Sequence, residues 1–344
     1  MSDNTLKMAQ IGVGAWGKNL LRNFSSLPQA NMVVVCDNRK NITSAVAETY
    51  PGLETCEDPA RILADPDIQA VVIATETPSH YSLAKAALLA KKHVFVEKPM
   101  AQTVAQASEL LDISRSNGLK LMVGHILLYH PAFEYVRDLI HSGALGEIYY
   151  LYSVRVNLGV VRQNESAFDS LAPHDLSVAL DFLGRKAIAV SAQGQAYLQP
   201  GVQDVVFATV YFEDGRLAHL HTSWLDPHKV RKVTIVGSKR MAVIDDVAGT
   251  EKVRIYDKGV DISAEEHAGV DFATAMNLRT GDISIPKIPV KEPLKSECEH
   301  FVQSILNDTA PLSDAQNGLD VVRLLDAARQ SMKLGGQRID VTGV

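Results

Sequence analysis

The sequence predicts two domains in series: an α/β domain over residues 1–124 and a mostly antiparallel open-sheet domain, α+β in kind, over residues 125–344. Three observations predict them. Short apolar runs alternate with helix-period stretches as far as Val123, the pattern of a parallel sheet with crossover helices. A glycine-rich turn, Gly12-Val13-Gly14-Ala15-Trp16-Gly17, follows the first of those runs and leads directly into a helical pattern. Beyond Ile148 the alternation gives way to long period-2 runs joined by tight turn sequences. A chain of 344 residues is long enough for two cores and too long for one ordinary core.

Composition narrows the class. Hydrophobic residues make up 46% and charged residues 22%, ordinary values for a soluble globular enzyme. A net charge of -6 argues against a nucleic-acid or membrane-surface partner, which would want a basic field. No apolar run is long enough to span a bilayer, and the amino terminus lacks the features of a signal peptide. The three cysteines, Cys36, Cys56 and Cys298, stand far apart in the sequence and in no metal-like spacing, which fits a reducing cytoplasm.

Taken in order, Met8 to Ile11 is a strand, and the helix after the glycine turn carries Leu20, Leu21 and Phe24 on one face. A second strand, Met32 to Cys36, ends at Asp37, twenty residues after Gly17. Strand, glycine turn, helix, strand and acid together are the dinucleotide-binding fingerprint of a Rossmann fold. Gly12 makes the turn, Gly14 admits a pyrophosphate, and the helix amino end supplies positive potential, with Ala15 and Trp16 beside it. Asp37 suits the ribose hydroxyls and repels a 2'-phosphate, favouring NAD over NADP. Asn38 and Arg39 follow, and Arg39 has two alternatives: stacking on adenine or taking a phosphate.

A helical stretch from Ile42 to Thr49 leads to the strand Ala70 to Ala74 and a loop, Thr75 to His80, in which Ser79 can cap the next helix. Thr75, Pro78 and His80 are thereby placed on the crevice of the glycine turn. For His80 a cofactor contact and a histidine satisfied in the first helical turn are equal readings. The strand Val94 to Val96 ends in Glu97-Lys98-Pro99, and a charged pair at that position points at a ligand, because open α/β sheets bind outside the carboxyl ends of their strands. A helix from about Thr103 to Asn117 and a strand from Leu119 to Val123 complete the first domain.

In the second domain, Ile148 to Asn157 alternates in period 2, with Ile148, Tyr150, Tyr152, Val154 and Val156 on one face. Val205 to Phe212 with Leu217 to Leu225, and Lys229 to Val236 with Met241 to Asp245, read as hairpins. A helix starts near Pro173-His174-Asp175 and runs to about Leu183. Helices over about Leu294 to Leu306 and Ala315 to Lys333 come last, followed by a loose tail. Arg155, Asn157, Arg162, Asn164 and His174 gather polar reach in one region. Arg155, Arg162, Lys229 and Arg231 suit an anionic diphosphate, and Trp224 and Tyr129 suit a stacked ring; the plain alternative is that these cations pair with carboxylates. At a helix start the amide dipoles disfavour a protonated His174, whereas Asp175 favours one. No metal spacing accompanies these residues.

The glycine turn, Thr75 with His80, Glu97-Lys98-Pro99, and His174 on the first long helix of the sheet domain together resemble the glucose–fructose oxidoreductase / inositol dehydrogenase (Gfo/Idh/MocA) family. The resemblance implies an oxidoreductase that moves a hydride between a sugar ring hydroxyl and NAD. Residues matching Lys98 and His174 lie beside the nicotinamide and the reacting hydroxyl in that family. Polyol-oxidising members often carry an aspartate four residues before the histidine and an acid three after it; here Ser170 and Ser177 stand there. Gly124 to Pro131 and Ser223 to Pro227 look most like members acting on nucleotide sugars, which implies oxidation of the 3-hydroxyl of UDP-N-acetylglucosamine or its uronate in amino-sugar biosynthesis. The expectation is a cytoplasmic homo-dimer or homo-tetramer with His174 as base and Lys98 orienting the hydroxyl, the reverse assignment remaining open. The rival readings are a dehydrogenase of a free sugar or inositol, an NAD-dependent glycosidase, and a non-catalytic dinucleotide-binding protein.

Overall fold

The computed structural model describes residues 5–159, 161–163, 165–184, 186–262 and 276–341, so Asn164 lies outside the described residues. The chain divides into two compact units, Met1–His130 with Lys291–Asp326, and Pro131–Val290 with Ala327–Val344.

In the first unit, six parallel strands are β1 (Leu6–Ile11), β2 (Ala30–Cys36), β3 (Glu54–Cys56), β4 (Ala70–Ile73), β5 (His93–Val96) and β6 (Leu121–Val123). Their order in the sheet is β3-β2-β1-β4-β5-β6, and it reverses direction between β1 and β4. That reversal opens a crevice at the carboxyl ends of the strands. The helices α1 (Gly17–Ser25), α2 (Lys40–Thr49), α3 (Ala60–Ala64), α4 (Thr77–Leu89) and α5 (Val104–Ser116) connect them. β4 and β5 are buried on both faces, which is why they read as continuous apolar runs. β3 and α3 are too short, at 3 and 5 residues, to show in the sequence pattern. The Thr103 hydroxyl caps α5 by accepting from Gln106 N. Ser79 is not a cap. α4 begins two residues earlier at Thr77, with Pro78 in its first turn, where the missing N–H costs nothing.

The sequence reading gave everything after residue 124 to one sheet domain, whereas residues 291–326 return to the first unit. The reason is aromatic packing. Phe301 of α8 (Pro293–Leu306) stands edge-on to Phe24 of α1 at 6.2 Å and to Phe95 of β5 at 5.7 Å. Tyr129 also belongs to this core: it is buried, and its hydroxyl hydrogen-bonds Ser313 Oγ at 2.8 Å. The beginning of α9 (Ala315–Lys333) belongs to the first unit too, with Leu319 and Val322 in the apolar cluster that holds Val94 and Val96 of β5.

The second unit is a nine-stranded sheet. After α6 (Pro131–His141) come β7 (Ile148–Val156), α7 (Ala167–Leu183), β8 (Ala187–Gln195), β9 (Val205–Phe212), β10 (Leu217–Ser223), β11 (Val230–Gly237), β12 (Met241–Asp245), β13 (Val253–Ile262), β14 (Met276–Ser284) and β15 (Ile339–Asp340). The order is β14-β13-β12-β11-β7-β10-β9-β8-β15. Within this sheet only β7 and β10 pair in parallel among the described strands. Both predicted hairpins form, and Gly215 takes the positive φ of 86° that the first turn requires. Within the tail Ile339–Asp340 is not loose, since β15 pairs with β8.

Candidate functional site

The glycine turn sits at the carboxyl end of β1, and each glycine is needed for a different reason. Gly12 has φ +93°, and a Cβ there would stand 2.6 Å from Ala74 O. A Cβ on Gly17 would stand 2.4 Å from Gly12 O, so this glycine lets α1 start against the strand. Gly14 is different: the nearest atom to its Cβ position is Arg39 Nη2 at 3.9 Å. The space before Gly14 is therefore open, as close approach of a pyrophosphate demands. Ala15, Trp16, Asn38 and Pro78 are exposed around the same strand ends.

Gln10 holds the turn and escaped the sequence reading. It is fully buried, and its Nε2 donates to Gly12 O at 2.8 Å and Gly17 O at 2.7 Å. A glutamine within an otherwise apolar strand was the available signal.

Asp37, at the end of β2, reaches back to the same turn. Its Oδ2 accepts from Val13 N at 2.9 Å, and Arg39 Nε and Nη2 each donate to the carboxylate at 2.8 Å. The Arg39 guanidinium beside it holds the carboxyl below its usual range. The Arg39 side chain is about half exposed, so it can move aside for a ribose. Cys36 and Cys56, far apart in sequence, are register partners across β2 and β3. Burial pushes the Cys36 thiol up to about 12, so it stays protonated.

Thr75 ends β4 and hydrogen-bonds Ser79 Oγ at 2.7 Å. His80 does not face the crevice. It is 1% exposed, with Nδ1 2.9 Å from Pro99 O and Nε2 3.1 Å from Thr75 O. It ties the turn after β5 to the loop after β4, and burial lowers its pKa.

Beyond β5, Glu97 accepts from Trp16 Nε1 at 2.5 Å and from Lys98 N at 3.2 Å. Burial pushes the Glu97 carboxyl up to about 7, against the pull of Trp16 and Lys98. The Lys98–Pro99 bond is cis. Lys98, at this strand end, lowers the pKa of both His80 and His125.

In the second unit, α7 begins at Ala167, capped by a reciprocal pair between Ser166 and Asp169. Pro173 lies inside the helix, so His174 is not at its start and the dipole argument for its charge lapses. Ser170 and Ser177 share the His174 side of the helix by spacing, and Ser177 Oγ donates to His174 O at 2.9 Å. Asp175 is buried and takes Arg155 Nε at 2.7 Å and Nη2 at 3.1 Å. Burial works against the Arg155 charge, but Asp175 outweighs it and the pKa rises. Removing either partner would strand a buried charge, a loss of about 3–5 kcal/mol.

This geometry revises the substrate contacts drawn from sequence. Arg155 is 4% exposed and committed to Asp175, so it offers no arm to a diphosphate. Arg231 pairs with Asp246 at 3.7 Å, and Arg162, on the surface, pairs with Glu165. Tyr129 is 3% exposed and Trp224 2%, so neither presents a face for stacking. Asn157 N donates to Ser223 O at 3.2 Å, continuing the β7–β10 pairing. The face of β7 with Tyr150 and Tyr152 is exposed, and the buried face carries Leu151, Ser153 and Arg155. Among the described residues no helix is long and apolar enough to cross a membrane, and no group of side chains has a metal-binding arrangement.

The residues present fit a nicotinamide dinucleotide. The open approach at Gly14, the start of α1 and the anchored Asp37 carboxylate would hold its pyrophosphate and ribose.

Comparison with known proteins agrees. Residues 6–125 match the family described as "Oxidoreductase family, NAD-binding Rossmann fold", and residues 133–243 match its companion, "GFO/IDH/MocA C-terminal domain". The uncharacterized oxidoreductase YrbE of Bacillus subtilis strain 168 is 26% identical over 94% of each chain. The scyllo-inositol 2-dehydrogenase (NAD(+)) of the same organism is 24% identical over 90% of this chain and 89% of its own. Among solved structures, the UDP-N-acetylglucosamine 3-dehydrogenase GnnA of Acidithiobacillus ferrooxidans shares the fold, with a TM-score of 0.80 at 23% identity over 97% of this chain and 99% of that one.

Proposed function

The chain belongs to the Gfo/Idh/MocA oxidoreductase family, and on that premise we propose that it is an NAD-dependent dehydrogenase oxidising a ring hydroxyl of a sugar or cyclic polyol. The observation that carries the reading is the meeting, at the carboxyl ends of one parallel sheet, of an open Gly14 approach with the Glu97-Lys98 pair. A dinucleotide-binding protein without turnover needs the first and not the second. When bound, NAD accepts the hydride from the carbinol carbon. Lys98 orients the hydroxyl and stabilises the negative charge that develops on its oxygen. His174 takes the proton, as the side-chain type best suited to general-base work near neutral pH. An assembly of two or four copies over the sheet face that carries Tyr150 and Tyr152 belongs to the same reading.

The narrower substrate is a choice between a free ring and a nucleotide sugar. The inositol dehydrogenase among the relatives and the burial of Arg155, Tyr129 and Trp224 favour the free ring. Ser170 and Ser177, where polyol-oxidising members often carry acids, favour the nucleotide form. NADH formation with myo-inositol, glucose and UDP-N-acetylglucosamine decides between them. We expect a free ring to react; turnover of the nucleotide sugar alone would reverse the order, and NADH from none of a broad panel would sink the dehydrogenase reading.

NAD should bind at least several-fold more tightly than NADP, because Asp37 fills the 2'-position with negative charge. Asp37→Ala should narrow that gap, since it also releases Arg39 to meet a 2'-phosphate. Equal affinities of the unaltered protein for the two cofactors in a fluorescence titration would refute the assignment.

A further inference from the structure

Within the first unit, near the Glu97-Lys98 pair, lies a group of buried ionisable side chains that the proposed reaction does not use. Glu297 of α8 is 0% exposed, and neither carboxyl oxygen has a hydrogen-bond partner among the described residues. His125, just past β6, is 1% exposed with both ring nitrogens unpartnered. Glu97 follows β5, against which α8 packs through Phe95 and Phe301 at 5.7 Å, and a Cβ on Gly124, next to His125, would stand 3.0 Å from the Glu97 carboxyl carbon.

The surrounding charges leave Glu297 without compensation. Arg22 of α1 pairs with Glu292 at the head of α8. Burial and Lys98 push His125 down to about 3, so it is neutral. Burial keeps Cys298 a thiol. His300 accepts from Leu312 N at 3.0 Å and lies 5.1 Å from the Tyr129 ring. Lys98 acts on Glu97, which also has Trp16 Nε1 and Lys98 N as donors. A buried carboxylate with no donor is strongly disfavoured, and a second carboxylate nearby disfavours it further.

We propose that Glu97 and Glu297 act as a carboxyl couple that keeps one proton at neutral pH, so that the pair carries one negative charge and not two. Glu297 holds the proton, because Glu97 has donors and Glu297 has none. Burial and then the Glu97 charge raise the Glu297 pKa well above its ordinary value. Glu297 is thus a positioning residue that acts through Glu97. Its consequence for catalysis rests on the proposed role of Lys98, whose charge acts on Glu97.

The test needs neither cofactor nor substrate, so it is independent of whether the chain turns over a sugar. Infrared difference spectra above neutral pH, where Glu97 is mostly ionised, should show the C=O stretch of a protonated buried carboxyl in the unaltered protein and its loss in Glu297→Gln. Both carboxyls bind protons more tightly folded than unfolded, so stability is full below the ordinary value of 4.5 and falls as pH rises through neutrality. Glu297→Gln removes one share of that fall and should melt roughly 3 °C or more above the unaltered protein near pH 8. Absence of the carboxyl band, or parallel melting curves across pH, would overturn the proposal. If Glu297→Gln does not fold, Glu97→Gln supplies the same answer. Losing the neighbouring charge should move the midpoint of the Glu297 band to lower pH, and an unmoved midpoint overturns the couple.

Discussion

Lys98→Ala and His174→Ala should each lower turnover by about a hundredfold or more while leaving NAD affinity within a few-fold of normal. For Lys98 the reasoning starts from position. It follows β5, whose neighbours β4 and β6 end at the same edge of the sheet, and its charge there adds to the burial that lowers both His80 and His125. An ammonium so placed can stabilise an oxygen that gains negative charge, a contribution made in the transition state and not in binding. Alanine removes it without a packing penalty comparable to a core substitution, because Lys98 is only half-buried. His174 is also half-buried, and α7 is fixed around it by the Ser166–Asp169 cap and the Arg155–Asp175 pair. Its loss should spare the fold for that reason. Stopped-flow turnover and a fluorescence titration on each variant read the two effects separately. Near-normal turnover in either one removes that residue from the mechanism.

The parts of the chain legible in the sequence are those where local chemistry and global fold agree. Gly12 and Gly17 are required by backbone geometry within six residues of chain, with the open Gly14 between them, and the Glu213-Asp214-Gly215-Arg216 turn forces its hairpin unaided. Contacts of long sequence separation were not legible. Nothing local reveals that Arg155 spends its charge on Asp175, that Cys36 and Cys56 face each other across two strands, or that Phe301 returns to Phe24 and Phe95. The start of α7 was missed for a local reason: Pro173 imitates a first-turn proline, while the Ser166–Asp169 capping box lies seven residues earlier. Period-2 alternation in β7 likewise shows two faces without saying which is covered. The partner on α7 decides that, and it puts an arginine inside and two tyrosines outside.

Gly14→Val should abolish measurable dinucleotide binding while the protein stays folded, a loss of about a hundredfold or more in affinity, equivalent to at least about 2.7 kcal/mol. The physical contrast lies within the glycine turn itself. At Gly12 and Gly17 a new Cβ runs into backbone oxygen at 2.6 Å and 2.4 Å, so substitution there damages the fold before it affects any ligand. At Gly14 the nearest atom is the end of the flexible Arg39 side chain at 3.9 Å, so the folded protein has room for an isopropyl group. That room is the approach a pyrophosphate needs, and a branched side chain would fill it. Calorimetric melting and NAD titration of Gly14→Val beside Gly17→Ala separate the two cases. The first should melt close to the unaltered protein and fail to bind; the second should melt lower. If Gly14→Val binds NAD normally, the cofactor does not pass over this turn, and the site must be sought elsewhere on the sheet edge.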